Sequence, residues 1–151
     1  MARFASGVVV LTVGEPHVHA MTANAFGSVS LDPPLVHCCV AHTAVMHSSL
    51  TRSRGFGVSI LGAGQETLAR RFADKARPLG WAQFDGVGWR PGPLTGAPLL
   101  TGALAWLECE PAGSHVAGDH SLFLGEVLSA TTGDGDAALL FYAGRFQRTG
   151  R

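Results

Sequence analysis

The sequence predicts a mainly β fold, a closed antiparallel barrel carrying few helices. Short β-branched or apolar runs recur between clusters of Gly and Pro, as strands do. Only two segments space their apolar residues at the helical period. No internal repeat, low-complexity tract or linker divides the 151 residues, so one domain with a substantial core is expected over 1–151.

The elements follow in order. Gly7-Val-Val-Val-Leu-Thr-Val13 is β-branched and bounded by glycines, hence a buried strand. Gly14-Glu-Pro-His17 makes a turn, and Val18–Ala25 returns as the second arm of a hairpin. Pro33-Pro34 starts another buried strand, Leu35–Ala41. Thr43 is placed to cap a short helix over Ala44–Thr51. Gly55–Leu61 reads as a strand. Gln65–Ala73 is the stronger helix, with Leu68 and Phe72 four apart on one face. Asp74–Thr95 holds seven Gly and Pro residues and two of the three Trp, and reads as a long surface excursion. Strands follow around Leu104–Leu107, over His120–Ala130 by alternation, and over Ala138–Tyr142.

Charge narrows the function classes. Eleven basic residues balance eleven acidic ones, without the basic excess of a nucleic-acid surface. With 46% hydrophobic residues and no net repulsion, apolar surface is expected to be hidden between subunits of a homo-oligomer. No apolar stretch approaches membrane-spanning length, and Met1–Gly7 lacks a signal-peptide layout, so a cytoplasmic protein is expected. Adjacent Cys38 and Cys39 point to opposite faces of one strand, and with Cys109 they read as buried free thiols.

The most informative stretch is Met21-Thr-Ala-Asn-Ala-Phe-Gly-Ser-Val-Ser-Leu-Asp-Pro-Pro-Leu-Val36. Its small and hydroxylated residues leave backbone amides uncovered, which suits a flat polar ligand, although a loop packed on its own domain has the same composition. Two further blocks stand downstream: Gly118-Asp-His-Ser-Leu-Phe-Leu-Gly-Glu-Val127 and Leu139-Leu-Phe-Tyr-Ala-Gly-Arg-Phe146. Together and in this order they resemble the short-chain flavin reductases, the reductase partners of two-component flavin monooxygenases. The resemblance covers nearly the whole chain.

It implies a split antiparallel β-barrel of the FMN-binding type, a homodimer, and an NAD(P)H-dependent reduction of FMN or FAD by NADH or NADPH. The reduced flavin would serve a separate flavin-dependent monooxygenase. The resemblance runs Thr22, Ala23, Asn24, Ala25 and Phe26 along the flavin ring, with Ser28 and Val29 just after. Asn24 would touch the ring or ribityl chain, or else satisfy a turn. Thr43, Ala44, Val45, Ser49 and Leu50 align with further cofactor contacts, at a helix start whose free N–H groups suit a phosphate. Lys75 matches a position at the phosphate or adenylate, with Arg70 and Arg71 as alternatives. His120 faces the nicotinamide, for positioning first and proton handling second. Phe141, Tyr142, Ala143 and Gly144 match a second nicotinamide-contacting stretch, where Ala143 replaces the usual basic residue. His19 and Ala20 also depart from the family, which has glycine before Met21, and narrow the site's entry. Family members usually carry a helix ahead of the first strand, and the sequence here holds only about its last turn: either the sequence is trimmed or the barrel end is capped differently.

Seven histidines invite a metal, but none stands with a carboxylate or thiolate at a zinc-ligand spacing, and no metal site is expected. His17 and His19 would share one strand face, and His37, His42 and His47, five apart, fit neither one helix face nor a strand alternation. No nucleophile elbow or phosphate-binding glycine loop is present. Two other functions remain open from sequence alone: a non-catalytic flavin carrier or sensor on the same barrel, and a reductase with a quinone or ferric acceptor.

Overall fold

The computed structural model describes residues 1–150; Arg151, inside the expected domain, lies outside the described residues. Twelve strands and two helices follow one another: β1 Ser6–Gly7, β2 Val9–Val13, β3 His19–Ala23, β4 Phe26–Leu31, β5 Pro34–Ala41, α1 Val45–Arg52, β6 Phe56–Ile60, α2 Glu66–Ala73, β7 Trp89–Pro91, β8 Pro98–Leu100, β9 Ala105–Ala117, β10 His120–Thr132, β11 Leu139–Tyr142 and β12 Arg145–Arg148. Single 3-10 turns occupy Ala63–Gln65 and Gly80–Phe84.

One seven-stranded antiparallel sheet dominates, in the order β3-β2-β6-β9-β10-β5-β4. It curls but does not close. β3 and β4, joined only by Asn24 and Ala25, stand at its opposite edges, so the barrel is split where these two residues cross. The apolar periodicity pointed to a closed barrel; the resemblance pointed to a split one, and the split is what forms. A pattern of buried and exposed residues reports which face is inward, not whether edge strands meet.

Two cores explain the run of β2, apolar but for Thr12 and buried at every residue; Thr12 donates its hydroxyl to the Pro98 carbonyl at 2.6 Å. Val9, Leu11 and Val13 face the barrel interior with Val36, Cys38, Val40, Phe56, Val58 and Phe123, capped by Met46 and Leu50 of α1. Val8 and Val10 face outward onto Ala69 and Phe72 of α2, with Phe84, Leu100 and Leu139. A strand buried on both faces loses the polar alternation expected of a half-exposed one.

Several boundaries differ from expectation. Phe26–Leu31, too small and polar for a strand by propensity, is an edge strand held by β5, with a register shift between Ser28 and Ser30. Thr43 does not cap α1: the N-cap is Ala44, and no side chain bonds the first turn. The excursion after α2 is anchored by its aromatic rings. Trp81 stacks on Trp89 at 5.0 Å and 14°, and Phe84 packs against both at 5.7 Å. Its later half is tied down by Glu108, 2% exposed, whose Oε1 accepts bonds from the Leu94 and Thr95 amides and the Thr95 hydroxyl. The β11–β12 turn places Ala143 and Gly144 at φ 52° and 74°, the pairing that a tight hairpin turn requires.

Cys38 and Cys109 are buried free thiols, pushed up to about 12 chiefly by desolvation. Cys39, on the other face of β5, is half-buried and free.

Candidate functional site

A groove of about 610 Å³ opens at the split, a size typical of small-molecule sites. Its floor is β3 from Met21 to Ala23 with Asn24 and Ala25; one wall is the end of β5 and the start of α1, Cys39 to Val45; the other is the end of α2 with Lys75, Arg77 and Leu79. His120 stands at the rim. Ala23, Ala25, Ala41, Ala44 and Ala73 make the lining shallow and smooth, as a flat ring requires.

The structure brings together Thr22, Ala23, Asn24, Ala25, Thr43, Ala44, Val45, Lys75 and His120 of the residues expected at a site. Thr22 spends its hydroxyl on the Ala69 carbonyl at 2.7 Å, which fastens β3 to α2 and leaves only its main chain for a ligand. Asn24 and Ala25 are exposed, and the Ala25 carbonyl accepts a bond from Cys39 N at 2.9 Å, closing the floor onto β5. The first turn of α1 carries no acidic residue, so its positive dipole end is uncancelled beside the groove. Lys75 pairs with no carboxylate among the described residues. Arg70 is paired with Glu66 at 2.7 Å and Arg71 bonds the Gln83 carbonyl at 2.8 Å, so the two alternatives to Lys75 are already engaged.

Other expected residues do not line this groove. Phe26 packs into the barrel core, and Ser28 and Val29 lie exposed on β4. Ser49 and Leu50 point inward from the second turn of α1, 6% and 2% exposed. Phe141 packs edge-to-face on Phe146 at 5.4 Å and, with Tyr142, Ala143 and Gly144, forms the β11–β12 hairpin outside the lining.

Sequence reasoning missed Arg77. Its guanidinium donates to the Ala20 carbonyl, to the Asp74 carbonyl at 2.7 Å, to Gln83 Oε1 at 3.4 Å and to His19 Nε2 at 3.1 Å. Gln83 is fully buried and accepts from Ala20 N at 3.1 Å. Arg77 thus bolts the excursion onto β3 while leaving a positive charge in the groove wall, and partial burial lowers its pKa. No local spacing marks its hold on β3, because Ala20 and His19 lie 57 and 58 residues away.

His19 lines the groove and is 3% exposed. Burial, and then the Arg77 charge, hold its pKa down from 6.5 to about 4. An unfolded chain binds a proton at His19 below about 6.5 that the folded protein refuses until about 4, so stability falls as pH drops through that window. Between pH 7 and pH 5 His19 is expected to remove about 2 kcal/mol. Urea unfolding at the two pH values measures it, and His19→Gln flattens the difference.

At the rim, His120 Nδ1–H donates to Asp119 Oδ1 at 2.7 Å, leaving Nε2 for a ligand. This hydrogen bond, with the imidazole's charge, holds the exposed Asp119 carboxyl below its ordinary range. The turn is fixed to the opposite wall by a bond from His42 N to the Asp119 carbonyl at 3.0 Å.

The arrangement fits a flavin: a smooth apolar cleft for the tricyclic ring, main chain along its edge, and an electropositive end at α1, Lys75 and Arg77 for phosphate.

Comparison with known proteins agrees. Residues 1–150 match the family model described as flavin reductase like domain. An NADH-dependent FAD reductase of Streptomyces globisporus is 52% identical over 145 residues, 96% of this chain and 80% of that protein. Among solved structures, BorF, the flavin reductase component of a bacterial two-component tryptophan halogenase, superposes with a TM-score of 0.93 at 50% identity, covering 97% of this chain and 92% of BorF. The Streptomyces globisporus NADH:FAD oxidoreductase SgcE6, solved in complex with NAD and FAD fragments, superposes at 0.92 with 49% identity, covering 99% and 88% of the two chains.

Proposed function

The chain belongs to the flavin reductase like domain family, and from that membership we propose that it is an NADH-dependent flavin reductase acting on FAD or FMN, delivering reduced flavin to a separate flavin-dependent monooxygenase. The observation that carries the reading is the groove at the barrel split, where the expected flavin floor, an electropositive end and His120 converge.

When bound, the flavin supplies the ring nitrogen that accepts a hydride from the nicotinamide. The protein's task is placement, with donor and acceptor about 3–3.5 Å apart. Ala23, Asn24 and Ala25 offer main chain and the Asn24 amide to the polar edge of the ring. Thr43, Ala44, Val45, Lys75 and Arg77 hold the phosphate end. His120 Nε2 meets the nicotinamide carboxamide at the open rim. Ala143, without a positive charge, gives no anchor for the extra phosphate of NADPH.

We assign a homodimer to the face opposite the barrel core. Leu122 and Leu124 lie directly opposite Cys39 and His37 on β10 and β5, and this face runs up to the groove at Cys39 and His120. The buried His37 Nδ1 on it lacks a hydrogen-bond partner. Phe141–Gly144, outside the groove's lining, enter the nicotinamide rim only through this dimer. We place the reaction in the cytoplasm, where three free thiols persist.

His120→Ala is expected to raise the apparent KM for NADH about two- to tenfold, the loss of one hydrogen bond, with flavin affinity unchanged within about twofold. A collapse of flavin affinity instead would put His120 on the wrong side of the site. The function is tested by mixing protein, flavin and NADH and following the nicotinamide absorbance. Turnover is expected; flavin binding with no NADH consumption would leave the carrier reading in its place.

A further inference from the structure

Directly behind His120 lies a second cluster. Ser121, 5% exposed, points to the opposite face of β10 from His120. Its Oγ stands 3.1 Å from His42 Nε2 and 2.8 Å from His47 Nε2. The two imidazoles meet edge to face at 5.1 Å, and His47 packs on Phe123 at 5.1 Å. Convergence of two imidazoles suggests a metal, but no set of three His, Cys, Asp or Glu side chains converges among the described residues. The hydroxyl itself is the common partner.

We propose that Ser121, gripped by His42 and His47, is a positioning residue that sets the distance between the His120 rim and the α1 wall of the groove. The geometry points there in three ways. His42 immediately precedes Thr43, Ala44 and Val45, which line the groove, and His47 sits in the first turn of α1. Ser121 immediately follows His120, which lines the rim. Finally, the His42 amide bonds the Asp119 carbonyl, so residue 42 is tied to both sides of His120. One oxygen therefore joins the element that carries the nicotinamide side to the element that carries the flavin side. The β5–β10 ladder pairs His120 with Ala41, and the His42 amide bonds Asp119, so the strand ends are already fixed; the His47–Ser121 bond is the side-chain link that carries this fixing from β10 into α1 itself.

The hydroxyl dictates the proton pattern. Ser121 has one hydrogen to give. In the neutral clasp, one imidazole receives it on a bare Nε2, and the other donates its Nε2–H to Ser121 Oγ. With no other acceptor bonded to the Ser121 hydroxyl among the described residues, this arrangement satisfies all three groups and puts the His42 and His47 protons on different ring nitrogens.

The inference rests on the flavin reductase reading for its consequence, not for its geometry, and the test separates the two. In the flavin-free protein, histidine side-chain NMR is expected to show opposite tautomers for His42 and His47. Ser121→Ala is expected to erase that difference and to shift the amide signals of Thr43, Ala44, Val45 and His120, while Ser121→Thr, which keeps the hydroxyl, preserves both. With flavin bound, anaerobic single-turnover reduction by NADH is expected to slow about tenfold in Ser121→Ala and to recover within about twofold in Ser121→Thr, with flavin affinity within twofold throughout. Identical tautomers in the wild type, shifts confined to residues touching Ser121, or an unchanged hydride-transfer rate in Ser121→Ala would each overturn the proposal. A wild type that never reduces flavin with NADH would defeat the reductase reading instead, and the NMR comparison would still decide the clasp.

Discussion

Ala25→Trp is expected to weaken flavin binding at least 100-fold, about 2.7 kcal/mol, while the protein keeps its fold. Ala25 is exposed, lines the groove floor and lies outside any strand. Its one structural bond, from Cys39 N to its carbonyl, is made by main chain and survives any side chain. An indole there takes the space over Ala23 and Asn24 in which a flat ring must lie. Fluorescence titration with FAD and FMN reads the affinity, and thermal unfolding checks the fold, with a midpoint shift of no more than about 2 °C expected. Unchanged affinity in a folded Ala25→Trp protein would mean that the ring does not lie along the crossing between β3 and β4.

Glu108→Ala is expected to cost about 3–5 kcal/mol of stability. The substitution leaves the amides of Leu94 and Thr95 and the Thr95 hydroxyl without their acceptor, in a place that is 2% exposed. Nor can the loop simply close over the gap. Gly92 approaches so near that a Cβ on it would sit 2.1 Å from Glu108 Oε1, so the turn is shaped around the carboxyl group. Against a typical total of about 5–15 kcal/mol the loss is large. Urea unfolding should show a lower midpoint with the slope unchanged. Glu108→Gln keeps an oxygen at Oε1 and is expected to lose only about 1 kcal/mol. Equal stability of Glu108→Ala and the wild type would contradict this account of the loop.

These two positions also mark what the sequence can and cannot say. Ala25 was legible because a long ordered motif carries it, and Leu35–Ala41 was legible because β-branched apolar residues repeat. Glu108 was not: a glutamate within a strand looks solvent-facing until the loop that folds over it is known. Arg77 and the Ser121–His42–His47 cluster were hidden for the same reason, since their partners come together only when β10, α1 and the excursion pack. His42 and His47 looked incompatible at a spacing of five because one lies outside the helix and the other within it. The edge strand Phe26–Leu31 was read as open ribbon because its ladder with β5, not its own propensity, makes it a strand. Conversely, Ser49 and Leu50 matched a motif, yet their helix turns them into the core.

The central claim is that a flavin lies in the split, its ring along Ala23–Ala25, its phosphate end toward α1 and Lys75, and its free side toward His120. A crystal structure of the protein soaked with FAD measures this directly. The account predicts ring density over the β3–β4 crossing, with His120 on the uncovered face. Density for the ring anywhere else, with the groove filled by the protein's own side chains, would contradict it.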